Sequence, residues 1–461
     1  MVLTPYRDVL SRPGALAFSS AGVLARLPMS MVGIGIVLMV SEIYGSYGLA
    51  GRISAVYVIA HAVCSPQIAR LVDRHGQARV MRPALAVTAL GLVGLIATAR
   101  AEGPTWLLYV TAVVTGAAMG SVGALVRARW SHVLTDPRHI HTAYSLESAL
   151  DELVFIVGPV LATVLATGVE PTAGLVVPTV AVVVGGLLLF AQKGTEPPPT
   201  VRDGRRSQHV MRSGGMVVVA VVFVCMGAIF GATDVATVAF AEEQGSKAAA
   251  GGILAVFALG SMISGLGYGA RHWVSPLWRR FTVGMVALAA GVSLFFLVTS
   301  IPMLAVVMFV TGFAIAPTLV SGNGLVQQLV PRGQLTEGLT WVGTALGFGV
   351  SFGSSIAGAL IDRSGSHGGF LVVVASAGAA VVATLASVRT LRARARVTIG
   401  VDEIIAAEPL GPAAAEPLGP AAAEPLRPAT EPPGQSAATP PPLASSRSAP
   451  DASNGRPSKK P

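Results

Sequence analysis

Ser41–Ile59, SEIYGSYGLAGRISAVYVI, and Ala241–Leu259, AEEQGSKAAAGGILAVFAL, are one segment written twice at an offset of 200 residues. Identities fall at Glu42, Gly45, Ser46, Ala50, Gly51, Ile53, Ala55 and Val56. Eight matches in nineteen exceed the roughly two expected by chance in an Ala/Gly/Val-rich chain. A second echo follows at an offset of 194, where Pro137-Arg138 and Thr142 match Pro331-Arg332 and Thr336. The chain reads as a duplication, and what is duplicated follows from its composition.

The sequence is 52% hydrophobic and only 12% charged, with a mean hydropathy of +0.67, whereas soluble domains carry about a quarter charged residues. Apolar runs of about 20 residues can span a hydrocarbon core, and twelve are present. They lie at about 15–40, 48–72, 79–100, 105–128, 140–168 and 173–192, then at about 215–240, 248–271, 281–300, 303–328, 335–361 and 368–390. The expected fold is an all-α membrane protein, twelve transmembrane helices in two pseudo-symmetric six-helix bundles.

The bundles are expected at 1–192 and 214–395. They are joined by a polar linker, 193–213, that holds Pro197-Pro198-Pro199 and Arg202, Arg205 and Arg206. Such a composition cannot form another apolar helix. From 396 to 461 the chain repeats Glu-Pro-Leu at Glu408, Glu416 and Glu424 and ends rich in Pro, Ser and Ala. It lacks the apolar content to offset its ordering entropy and is expected to be a disordered tail. Met1–Pro13 leads into a first span too long for a signal-peptide core, so that span is expected to be retained.

Several other classes are excluded. Cys64 and Cys225, both inside apolar runs, supply neither a disulfide framework nor zinc-ligand spacing. The net charge of +9 reflects an asymmetry along a membrane chain rather than a nucleic-acid surface. Gly265-x-Gly267-x-Gly269 follows no strand and lies inside an apolar run, which points to close helix packing rather than a dinucleotide fold. His139-x-His141 alone does not make a metal site. No cofactor is implied.

Ala69-Arg70-Leu71-Val72-Asp73-Arg74-His75-Gly76-Gln77-Ala78-Arg79, between the second and third spans, resembles the cytoplasmic loop signature of the major facilitator superfamily. That signature reads Gly, any residue, Leu, a small residue, Asp, Arg, any residue, Gly, then two basic positions. Leu71, Asp73, Arg74 and Gly76 match; Ala69 replaces the first glycine, and Arg79 falls one place after the basic pair. The resemblance implies a secondary transporter with a small-molecule substrate and a conformational latch of Asp73, Arg74, Gly76 and Arg79. Arg129, at the cytoplasmic end of the fourth span, is a candidate partner of Asp73 in that latch. Gly158-Pro159 resembles the family's antiporter motif, with Ala162 and Thr163 where its paired glycines would stand. Proton-coupled export, with the proton gradient as energy source, is the expected activity. The alternatives are a polytopic enzyme acting on lipid and a non-transporting sensor or scaffold.

Charges inside spans are costly and mark function or pairing. Arg26 and Glu152 lie at roughly matching depths, about 20 and 22 Å from their helix starts by helical rise, so Arg26 is expected to pair with Glu152 or Asp151. Glu147 and Asp151 share a helix face. With His61 and Asp234, these are the candidate substrate or proton-coupling residues. The expected partners are the small molecule and membrane lipid; a monomer in the inner membrane is the expected form.

If the N-terminus is inside, cytoplasmic loops and helix ends hold 22 of the 32 basic residues and the opposite side four, namely Arg52, Arg100, Lys247 and Arg363. Both termini are then cytoplasmic. Cysteines introduced within 193–212 will be shielded from an impermeant thiol reagent on intact cells, while cysteines beside Gly45 or Gly365 will react; rapid external labelling of the linker would reverse the orientation.

Overall fold

The hydrocarbon interior offers no water to backbone N–H and C=O groups, so a chain that crosses it repeatedly must satisfy them within each segment, as helix. A computed structural model of the protein describes residues 4–199, 209–246 and 249–407, and among these residues there are helices and turns but no strand. A short helix, α1 (Thr4–Leu10), comes first. Six spans follow as α2 (Ala15–Tyr44), α3 (Tyr47–His75), α4 (Gln77–Arg100), the broken pair α5 (Thr105–Ala118) and α6 (Val122–Val133), α7 (Pro137–Gly168) and α8 (Ala173–Ala191). The second six are α9 (Gly214–Glu243), α10 (Ala249–Ala270), α11 (Leu277–Ser293), the broken pair α12 (Ile301–Gly312) and α13 (Ile315–Leu329), α14 (Leu335–Ser364) and α15 (Ser366–Ala407). Among the described residues twelve segments are long and apolar enough to cross a membrane, within a few residues of those read from the sequence.

The last helix runs to Ala407, past the boundary expected at 395. No proline interrupts the Ala/Arg/Val-rich stretch after Arg389 until Pro409, so nothing stops the helix from propagating. Arg202, Arg205, Arg206, Lys247 and the Glu-Pro-Leu repeat lie outside the described residues.

The repeated sequence has a structural reason. Gly45 ends α2 at φ +62° and Gly245 follows α9 at φ +72°, a left-handed conformation that glycine adopts without a Cβ penalty. Ser46 then caps the next helix, its Oγ accepting from Leu49 N at 3.2 Å. Packing repeats as well. A Cβ added to Gly116 would strike Tyr57 O and His61 N, and one added to Gly312 would strike Phe257 O and Ser261 N. Gly91 lies against Thr115 as Gly291 lies against Thr311. Even the breaks correspond: the fourth span is interrupted at Met119–Ser121 and the tenth at Phe313–Ala314.

One apolar core is built from residues between Val9 and Phe190 with Tyr268 and Val320 added. The other is built from residues between Val210 and Ala380 with Ala124 and Ala128 added. Leu90, Val160, Leu187, Val283 and Val306 are exposed and form the outer surface that lipid would cover. In the second half the tightest seam joins α9 to α14. Gly227-x-x-x-Gly231 lies on Leu346 and Val350, and Gly349-x-x-x-Gly353 lies on Val224 and Ala228, backbone against backbone. Small residues at such spacing allow this approach, which lipid-solvated helices need because no hydrophobic effect drives them together.

Gly349→Val will cost more than the ~1–3 kcal/mol of ordinary overpacking, because the obstructing atoms are backbone. Gly347→Ala, whose Cβ meets nothing within 4 Å, will be neutral or stabilising. Melting temperatures in detergent separate the two; equal values would refute the close seam.

Candidate functional site

Two arginines and two carboxylates form a network inside the first bundle. Arg26 on α2 is 1% exposed and donates through Nη2 to Glu147 Oε2 at 2.5 Å, through Nη1 to Asp151 Oδ1 at 2.6 Å and through Nε to Gly22 O at 3.1 Å. Arg127 on α6 closes the other side of Asp151, Nη2 to Oδ2 at 2.7 Å. Glu147 is fully buried, and its Oε1 accepts from Ser19 Oγ and from Trp130 Nε1, each at 2.7 Å. Two positive and two negative charges leave the network neutral, the condition under which ions persist in low dielectric.

Arg26 therefore pairs with Asp151, as one of the two sequence alternatives had it, and with Glu147, but not with Glu152. Residues 147 and 151 stand one turn apart on the face of α7 toward α2, and residue 152 is rotated by about 100° from that face. Glu152 points instead across the seam, where Ser261 Oγ of α10 donates to its Oε1 at 2.7 Å. Among the described residues no cation pairs with it. Asp234, exposed on α9, has neither a hydrogen bond nor an ion pair among the described residues.

His61 sits at the break in the fourth span, its Nδ1 2.8 Å from Met119 O. Helix interruption leaves backbone groups that need such partners. Beside it a cavity of about 190 Å³ is lined by Arg26, Tyr57, His61, Thr88, Met119 and Ser121 among others. Gly158 lies on α7 where a Cβ would overlap Ser30 Oγ, next to Pro159, and Ser30 Oγ donates to Val154 O at 3.0 Å.

The two halves meet at the end of the bundle that holds the loops after α3, α6, α10 and α13. Asp73 Oδ2 accepts from Glu337 N at the start of α14, at 2.9 Å, where helix N–H groups lack intrahelical partners. Arg70 Nη2 pairs with Glu337 Oε1 at 2.7 Å. Gly76, at φ +91°, ends α3 and starts α4. Arg74 and Arg79 are exposed, and neither forms an ion pair among the described residues. The expected Arg129–Asp73 pair is absent. Arg129 points away from the seam, toward Gln77 Oε1 at 2.8 Å, Gln192 O at 2.8 Å and Thr195 Oγ1 at 2.7 Å, while Asp73 is directed at α14. Sequence reasoning missed Arg70 and Glu337. Glu337 is a buried acid inside an apolar run, the signal by which it could have been found.

A second clasp mirrors the first. Thr142 Oγ1 donates to Gly269 O at 2.8 Å and His141 Nε2 lies 3.1 Å from Tyr268 O; Tyr6 of α1 donates to Leu266 O at 2.5 Å. Burial holds the Tyr6 phenol above its ordinary pKa, so it stays a neutral donor. Tyr268 O and Gly269 O, at the end of α10 where carbonyls lack intrahelical donors, thus accept from the other half, and Leu266 O one turn earlier accepts from Tyr6. Thr142 and Thr336 are the pair that the 194-residue echo aligned.

The sequence matches the family model described as Major Facilitator Superfamily over residues 18–298 and 274–428. Among solved structures, the crystal structure of a bacterial homologue of the iron transporter ferroportin in an outward-facing state is similar with a TM-score of 0.66 at 13% identity, covering 82% of this chain and 99% of that one. The same homologue with soaked iron gives 0.63 at 14% identity, covering 82% and 99%. The human organic anion transporter MFSD10 (TETRAN) gives 0.59 at 12% identity, covering 80% and 96%. At these identities the likeness is one of fold. No curated protein matches the sequence.

Arg26→Met will strand Glu147 and cost about 3–5 kcal/mol, read as lost expression and melting temperature. Arg26→Met/Glu147→Gln will recover most of it, because the amide oxygen still accepts from Trp130 and Ser19, whereas Arg26→Met/Glu152→Gln will recover nothing. Equal recovery by the two double variants would overturn the pairing.

Proposed function

The chain belongs to the major facilitator superfamily, a family of transporters rather than enzymes, and from that premise we propose that it exports a small molecule across the inner membrane in exchange for protons. The two bodies, 1–192 and 214–395, rock about the seam, with 193–213 linking them. Both termini are cytoplasmic, so the clasped end faces the cytoplasm and this state opens outward. Asp73, with Gly76 and the Arg74–Arg79 loop, latches α14 in that state, and Arg129 fixes the loop from behind through Gln77. Gly158 and Pro159 let α7 bend where it crosses α2, as an antiporter requires.

The observation that carries the coupling is the bond between Glu152 and Ser261. Arg26 and Arg127 already neutralise Glu147 and Asp151, which makes those residues architecture. Of the three carboxylates Glu147, Asp151 and Glu152 on α7, Glu152 is the one that reaches the opposite half, and its partner there is a neutral hydroxyl. When the halves rock, Ser261 leaves and the carboxylate must find another partner, since a bare charge in the membrane is expensive. A proton is the partner that ties its state to the motion. Asp234 is the second open acid and receives either a proton or the cargo, and His61 holds the break in the fourth span in place. With the arginines occupied and two carboxylates open, a cationic or neutral cargo suits the site better than an organic anion.

In proteoliposomes, Glu152→Gln will keep cargo exchange across the membrane while losing flux driven by a pH gradient. Full gradient-driven flux in Glu152→Gln, Asp234→Asn and the double variant would remove both residues from coupling.

A further inference from the structure

The loop between α10 and α11 differs in kind from its counterpart in the first half. At the offset of 200, Trp273 stands where Asp73 falls. Between Tyr268 and Thr282 there are four basic or imidazole side chains, Arg271, His272, Arg279 and Arg280, and no acid. In the first half Arg70 has Glu337; among the described residues none of Arg271, Arg279 and Arg280 has an ion pair.

Two of these cations, Arg271 and Arg280, lie against aromatic rings, while Arg279 is exposed. The Arg271 guanidinium lies 5.1 Å from the centre of the Trp273 ring, and that of Arg280 lies 5.9 Å from the centre of the Tyr268 ring. Trp273 and Tyr268 pack with ring centres 4.8 Å apart. Arg280 Nη1 donates to Tyr268 Oη at 3.3 Å, while its Nε is buried with no hydrogen-bond partner. The loop is thus braced by its own aromatics, Trp273 Nε1 donating to Tyr268 O at 2.9 Å, and it holds an unused N–H at its centre. At its tip Val274 is fully exposed and Trp273 is 37% exposed.

An exposed Trp-Val pair is out of place in water but not at a bilayer surface, where aromatic rings settle among headgroups. The loop closes the short connection between two spans, so its tip lies at headgroup depth. Forked guanidinium groups with unmatched charge at that depth complement a phosphate, which they bind through paired N–H groups.

We propose that the α10–α11 loop binds the phosphodiester headgroup of an anionic phospholipid, with Arg271, Arg279 and Arg280 on the phosphate and Trp273 and Val274 against the glycerol and upper acyl chain. The site reaches the seam in one step. Tyr268 O is also the carbonyl that His141 of the opposite half approaches at 3.1 Å, and the His141 and Tyr268 rings meet edge to face at 4.8 Å. A bound headgroup therefore steadies the clasped state, whatever the cargo is.

The full-length protein, reconstituted in nanodiscs of phosphatidylcholine alone or mixed with phosphatidylglycerol, tests this. Phosphatidylglycerol will raise the melting temperature of the wild type, and Arg271→Gln/Arg279→Gln/Arg280→Gln will keep the phosphatidylcholine value but lose the rise. At about 1 kcal/mol per basic residue near the surface, the loss in lipid affinity is about a hundredfold. Arg332→Gln/Arg389→Gln, basic residues at the same end but away from the loop, will keep the rise. Inorganic phosphate added to phosphatidylcholine nanodiscs will give no rise; an equal rise would make a soluble phosphate the ligand and overturn the lipid assignment. An undiminished rise in the triple Gln variant would overturn the site. If that variant folds poorly in both lipids, Arg271→Lys/Arg279→Lys/Arg280→Lys keeps the charge without the fork. It will retain fewer phosphatidylglycerol molecules in native mass spectrometry, and wild-type retention would again overturn the proposal.

Discussion

Everything in this structure follows from the cost of leaving a polar group unpaired where there is no water. The backbone meets that constraint by helix formation, and the few side chains that violate the apolar pattern meet it by pairing. Arg26, Glu147, Asp151 and Arg127 neutralise one another, and Trp130 and Ser19 occupy the remaining Glu147 oxygen. Two acids have no cation beside them among the described residues: Glu152, which accepts from the Ser261 hydroxyl, and Asp234, exposed on α9.

The same constraint organises the clasps. A helix end presents unpaired backbone groups, and both clasps use them: Asp73 accepts from the first turn of α14, and carbonyls at the end of α10 accept from Thr142 and His141. One clasp carries a side-chain charge and its twin does not. The duplicated geometry is therefore symmetric in position but not in electrostatics, and the second-half loop, freed of an acid, is left with arginines and aromatics. Gly227, Gly231, Gly349 and Gly353 add the close seam in which the backbones of α9 and α14 meet.

Much of the fold was legible because its signals are local. Span length is fixed by bilayer thickness, and the Gly-Ser repeat marks the helix stops at Gly45 and Gly245 because only glycine takes a left-handed φ freely. The site was legible only as a set of residue types. Depth along a helix suggested Arg26 with Glu152, but depth ignores rotation, and one residue of offset turned Glu152 to the other half. Arg129 was a candidate partner of Asp73 because both lie at the cytoplasmic ends of their spans, whereas the connector after α8 claims it. Glu337 was overlooked because an acid near a helix start reads as ordinary dipole compensation.

The sequence by itself determined that this is a duplicated twelve-helix membrane protein and which few ionisable residues its spans must accommodate, because hydropathy, glycine conformation and charge cost act over a turn or two of helix. Only the tertiary structure decided which of those residues neutralise each other, which two acids stand without a cation among the described residues, and which end of the bundle is clasped. Those outcomes depend on the rotation and contact of helices far apart in the chain, and no local pattern encodes them.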